Sequence, residues 1–513
     1  GVDLAALSKG HIATGSGAHT LSLMATAGDI AVTRLSSSGD ARASATGNLS
    51  ANALSHGDLI LTAGDMLTLS GQSLAAGDAV LRAGTMKIGT LVSGVDFAAS
   101  EQSGGALILK TSASGAVDTG RVLLTASDRI DAQTLRSAGS LAANAGTFNA
   151  ANVTSYGAAT ITGDTTISGQ LLAGGDIAIT GQAINLATTV AGVDLAELAK
   201  GNIVLGDAAH ALSLTTTAGD LTVNRMLSSG DTAASATGNL SANVLSHGNL
   251  NLSAGGTLAL SGQSLAGGNA ALKADAITIG TLVSGVDFAA TERAGGAMIL
   301  KSSTTGATGA TGATSATGAA NTGLMTLAAK GSIDAAMLLS SGAFVADAGR
   351  FNVANVTSHD TATIMGDTTI SGQLLAGSDI AITGPAIHLG TAVAGVDLAG
   401  LASGQIIPGQ AGDLSLTASG LGVTADRLIS AGNMAVTAQS TVTANIISHG
   451  DLGITAGDMI TLTGQSLTGG DATIRAGAIT IDTLVSGVDF AATQKSGGAL
   501  ILKSGRNPAA DAT

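Results

Sequence analysis

The chain has 513 residues, a net charge of -14 and a sequence pI near 4.7, with 74 Gly, no Cys and aromatic residues at only 1%. Without Cys there are no disulfides and no thiolate metal ligands, and the acidic balance, with no Lys/Arg cluster carrying interleaved aromatics, argues against nucleic-acid binding. Although the mean hydropathy is +0.43, Gly, Ser, Thr and Asp interrupt every apolar run well short of the roughly 18 residues that a transmembrane helix needs.

The first residues already belong to a repeat. Gly-Val-Asp-Leu begins at Gly1, Gly192 and Gly395, and Leu-Val-Ser-Gly-Val-Asp-Phe begins at Leu91, Leu282 and Leu484. Self-similarity at this scale marks a solenoid or array. It divides the chain into blocks 1–191, 192–394 and a partial 395–513, expected to form one continuous solenoid. A solenoid grows by stacking, so length does not translate into globular domains. The absent initial Met, the absence of a signal-peptide pattern and the incomplete third block read as a segment of a longer protein.

Within the first block a shorter period appears. Gly-Asp or Gly-Asn pairs start at Gly28, Gly39, Gly47, Gly57, Gly64 and Gly77, so that two interleaved turn positions each recur every 17 to 20 residues. Between them the pattern has period two: Leu59, Leu61, Ala63 and then Leu67, Leu69 alternate with polar residues such as Thr62 and Thr68. That alternation predicts strands with one face inside, not helices. A third apolar station at Leu35, Leu54, Leu74 and Leu91 is expected to stack each Leu on its counterpart one coil away. The predicted fold is therefore all-β, a three-faced parallel β-helix of about 19 residues per coil. Roughly 25 coils at ~4.8 Å each would make a rod on the order of 120 Å. Gly is expected to supply left-handed corners and Asp or Asn to bond its own backbone there. A corner is also filled by Ser-His-Gly at Ser55, Ser246 and Ser448.

Each block is itself a degenerate duplication, with Gly1 and Gly94, Gly192 and Gly285, and Gly395 and Gly487 about 93 residues apart. Matching residues of blocks one and two lie 191 apart as far as Gly285 and 203 apart by Asp131 and Asp334. The Gly-Ala-Thr run, an insertion near 306–318, accounts for the difference and reads as a flexible loop.

Some parallel β-helices are carbohydrate-active enzymes, which gather acids with a cation, Arg or Lys on one face. Here the charges are copied with the blocks: Arg34, Arg225 and Arg427; Lys110, Lys301 and Lys503; Asp3, Asp194 and Asp397; Asp96, Asp287 and Asp489. A catalytic centre is built once, whereas a structural corner is copied at every duplication. The reading is thus not an enzyme, with no catalytic, cofactor or metal residues. The Asp of Gly-Val-Asp is expected to form turns or accept bonds from free backbone amides. His56, His247 and His449 are block equivalents too far apart along a rod to share an ion, and read as solvent-facing corner residues. No Gly-Lys-Ser/Thr phosphate loop and no nucleophile elbow is present. The Gly-Asp spacing is too wide for the calcium-binding nonapeptide solenoid. Sequons at Asn48 and Asn152 are attributed to chance in a Ser/Thr-rich chain.

The stretches Ser55 to Gly71 (SHGDLILTAGDMLTLSG) and Ala173 to Gly181 (AGGDIAITG) resemble filamentous haemagglutinin repeats, and the likeness runs along nearly the whole chain. Those repeats form the shafts of large two-partner-secretion exoproteins of Gram-negative bacteria, including adhesins and contact-dependent growth inhibition proteins. The resemblance implies a right-handed β-helix at the cell surface or secreted, exported unfolded through an outer-membrane transporter partner. Absence of Cys fits such threading. The function it implies is a structural filament that projects a distal binding or toxin region toward a receptor on a target cell. The alternative is an adhesin whose lateral faces bind cell-surface glycans or proteins. A row of exposed aromatics would favour the alternative, and one Tyr with six Phe cannot supply it. Uncapped strand edges at the ends predict end-to-end association.

Overall fold

The computed structural model describes residues 17–104, 106–110, 119–296, 298–301, 323–402, 404–409, 411–497 and 499–503. Asp3 and the Gly-Ala-Thr insertion lie outside them. Two compact units are present, Gly1–Ala259 and Leu260–Thr513. Strand accounts for 63% and helix for 6%, and the architecture is a parallel β-solenoid with about 19 residues per turn. Among the described residues no helix is long and apolar enough to cross a membrane.

A turn has three strand stations, and each pairs in parallel with the same station of the next turn. In unit 1, Ala41–Ala45 pairs with Leu59–Ala63, which pairs with Ala79–Ser93, through Ala41↔Leu59↔Ala79 and Ala43↔Leu61↔Leu81. Alternate residues point inward and are almost fully buried, as the period-two pattern requires. Along the axis the inward column mixes small and large side chains, Ala41, Leu59, Ala79, Val122, Leu141, Ala159, all buried in a thin core. Unit 2 repeats the arrangement, with Phe344 on Ala362 on Ile380 on Leu414.

The corners are built differently from expectation in two respects. Asp and Asn do not bond their own backbone but the amide of the following turn. Asp40 accepts from Asp58 N at 3.0 Å and Asp58 from Asp78 N at 2.9 Å. In unit 2, Asp413 accepts from Asn433 N at 2.7 Å and Asn433 from Asp451 N at 2.9 Å. The glycines before them are mostly not left-handed: Gly28 has a φ of 106°, whereas Gly39, Gly47, Gly57 and Gly77 have none of this kind. A Cβ on Gly57 would instead overlap the Asp40 carboxylate and lie 2.9 Å from the Asp40 amide nitrogen. Glycine is needed for axial closeness, and the Gly-Asp pair is one device for stacking turns.

At the third station Leu54 stacks on Leu74 and Leu74 on Val92, with all three on the outer side, while Leu35 stacks on Ala53 and Leu91 on Ser73, facing inward. The expected column of four leucines does not form. The bend before this station varies in length, with register shifts such as that between Leu69 and Gln72, and a one-residue slip moves a side chain to the other face. The residue that is constant here is the buried Ser. Ser55 Oγ lies 2.9 Å from the Gly39 carbonyl and 2.8 Å from that of Asp58, and Ser137, Ser155, Ser246, Ser340, Ser358 and Ser430 are equally buried.

Among the described residues five short helices correct the expectation of none: α1 Phe97–Gln102, α2 Leu195–Ala199, α3 Phe288–Arg293, α4 Leu398–Ala402 and α5 Phe490–Lys495. Each begins an excursion that leaves the stack after Gly-Val-Asp. The chain returns through an antiparallel bridge, Val95↔Leu109, Val193↔Leu205, Val286↔Leu300, Val396↔Pro408 and Val488↔Leu502. The stack closes across the gap, with Ala79 pairing directly with Val122 and Ala270 with Met325. Excursions consume sequence without adding turns, so the solenoid has fewer turns than the roughly 25 expected from length.

Candidate functional site

The block-repeated charges have structural partners. In every described Gly-Val-Asp motif the Asp caps the helix that follows. Asp96 accepts from Ala99 N at 2.9 Å, Asp194 from Ala196 N and Glu197 N at 2.8 and 3.1 Å, and Asp287, Asp397 and Asp489 from Ala290, Ala399 and Ala492 at 2.9, 3.0 and 2.9 Å. An N-cap of this kind satisfies amides that a helix start leaves open. The preceding glycines, Gly94 to Gly487, hold φ between 69° and 75°. Helices of five or six residues do not persist alone, and these are held by packing. The outward Leu74 and Val92 meet Val95, Phe97 and Leu109 in one apolar cluster, and Leu375, Val393 and Val396 meet Leu398 and Leu401 in another.

Lys110, Lys301 and Lys503 close the same excursions, each ammonium donating to a corner carbonyl 34 residues earlier, on Ala76 (2.6 Å), Gly267 and Gly469. Arg34, Arg225 and Arg427 are exposed on the flanks of the turns. The corner histidines are not simply solvent-facing. His56 is exposed but stacks on Phe97 with ring centres 4.3 Å apart and 6° between planes, and the half-buried His449 stacks on Phe490 at 4.1 Å and 14°. Burial pushes His56, His359 and His449 below the ordinary imidazole range, with Glu101 partly opposing this at His56. The Asn48 and Asn152 amides belong to the axial ladder, accepting from Met66 N and Gln170 N at 3.3 and 3.2 Å. Among the described residues no group of three His, Asp or Glu converges where it could hold a metal ion.

Composition and block arithmetic did not single out a concavity among the described residues whose side chains differ between copies. It lies in unit 1 along the bend between the second and third stations and has a volume of about 790 Å³. Five successive turns line it, with Gly71 and Gly89 among the lining residues. At its centre Asp131 accepts from Asn149 Nδ2 at 3.0 Å and from Arg129 Nε at 2.7 Å, with Lys87 on the adjacent turn. Burial alone would push the Asp131 carboxyl up; Asn149, Arg129 and Lys87 outweigh it and hold the group below the usual carboxylate range. Lys87, Arg129 and Gln133 are exposed around this pair. The signal in the sequence was a departure from the repeat: the positions 191 or 203 residues later are Thr278, Ser332 and Ala336.

No known protein family, characterised protein or solved structure matches the chain.

Proposed function

We propose that the chain is a shaft segment of a large surface-exposed or secreted bacterial exoprotein, exported through an outer-membrane two-partner-secretion transporter. It holds a distal binding or toxin region away from the producing cell. The observation that supports this reading is the assignment of the repeated polar groups. The Asp and Asn of the corners bond the next turn, the Ser of the third station bonds corner carbonyls, and the Asp and Lys of each excursion fasten it to the stack. Stacked turns with a buried apolar core resist bending and need no disulfide, which suits a chain that folds after passing a membrane. We assign it no reaction.

Surface display is testable with epitopes inserted after Gly104 and after Gly497, where no neighbouring atom lies within 4 Å of the added carbon. In Gram-negative cells producing the parent protein with its transporter, both epitopes are expected to bind antibody on intact cells. Labelling that appears only after the envelope is permeabilised would contradict the proposal.

A further inference from the structure

We propose that the unit 1 groove binds an extended acidic oligosaccharide, its carboxylate or sulfate groups held by Lys87 and Arg129. Unit 2 contains the same bend in a smaller form, about 420 Å³, and retains the central pair: Asn352 Nδ2 donates to Asp334 at 2.9 Å. The Asp–Asn pair is thus copied architecture. What is not copied is the rim, where Lys87, Arg129 and Gln133 are matched by Thr278, Ser332 and Ala336. Ser332 Oγ donates to Asp334 at 2.9 Å, serving the carboxylate much as Arg129 does in unit 1. Unit 2 folds without the two cations, so packing does not explain them.

The chemistry of the rim selects the ligand. Two cations against one carboxylate give the groove a net positive charge in a chain of net charge -14. Arg129 uses Nε for Asp131, which leaves its two terminal nitrogens free to grip a planar carboxylate or a sulfate in bidentate fashion. Gln133 and the hydroxyls of Thr68 and Thr166 line the same groove and match sugar hydroxyls. No aromatic side chain lines it to stack a neutral ring or a base. Five turns at ~4.8 Å make it about 19 Å long, and its volume is in the range of small-molecule sites. Binding here does not depend on whether the chain is a shaft.

The test uses the whole chain and three fluorescent tetrasaccharides: a sulfated glycosaminoglycan fragment, a polyuronate and a neutral glucan. The expected result is one site per chain, with at least one acidic ligand bound about tenfold or more tighter than the neutral one and weakened by salt. The triple variant Lys87→Thr, Arg129→Ser, Gln133→Ala takes the residues that unit 2 already carries, and is expected to keep its unfolding temperature and lose affinity by about tenfold or more. The reverse change, Thr278→Lys, Ser332→Arg, Ala336→Gln, is expected to add a second site. The relative affinities of the sulfated and uronate ligands identify the preferred anionic group. No binding, equal binding of the neutral glucan, or affinity unchanged in the triple variant would each overturn the proposal.

Discussion

Replacing Gly366 by alanine is expected to destabilise unit 2 by about 3 kcal/mol, the sum of two separate costs. The φ of Gly366 is 125°, a conformation that an L side chain adopts only under strain. Its Cβ would also overlap the Ala348 carbonyl oxygen of the preceding turn and lie 3.0 Å from the carbonyl carbon, with no flexible side chain to give way. Gly28→Ala separates the two effects. Its φ is 106° but nothing lies within 4 Å of the added carbon, so only backbone strain remains, about 1–2 kcal/mol. Urea unfolding of both variants decides between them. Equal losses would mean that axial crowding is not what fixes glycine at these corners.

Phe351→Ala is expected to cost about 3–5 kcal/mol, the usual loss for emptying a buried aromatic site. Phe351 and Phe344 are both fully buried, with ring centres 6.0 Å apart and planes tilted by 57°. Few other side chains in this core are so large, and the β-branched Ile333 and Thr368, which stack on Phe351 from the turns on either side, cannot expand to fill the space. A turn touches only its neighbours, so the damage is expected to stay local. Amide exchange is predicted to accelerate in Met325–Ser340, Phe344–Ser358 and Ala362–Ala376, the paired strands around the cavity, and to stay unchanged in unit 1. Uniform acceleration over the whole chain would show that stability is not held turn by turn.

The turn and its strands were legible because Leu59, Leu61, Ala63, Leu67 and Leu69 obey one period and a turn pair punctuates it. The function of the pair was less so. Gly57 and Asp58 look like a local turn, yet what fixes them is Asp40, 18 residues away, and contacts between turns leave no mark on a short window. The leucines of the third station misled for a related reason: the bend before Leu54, Leu74 and Leu91 differs in length, so equal spacing did not mean equal facing. The excursions had a readable signal that the dominant period masked. Asp96 stands before Phe97-Ala98-Ala99, a cap ahead of helix formers. The outward Leu74 and Val92 required a cover, and a β-solenoid flank has no use for adjacent outward apolar residues unless something lies on them. At the groove the copied residues were the uninformative ones. Lys87, Arg129 and Gln133 became visible as a set only when the fold placed them on adjacent turns beside Asp131.

If the residues copied from turn to turn hold the stack along its axis, a pulling force is resisted turn by turn. Single-molecule pulling from the two ends of the chain tests it most directly. Force peaks are expected at multiples of one turn, about 19 residues or roughly 65 Å of released chain, with longer steps where an excursion is freed. Extension without force peaks, or release of each unit in a single step, would contradict it.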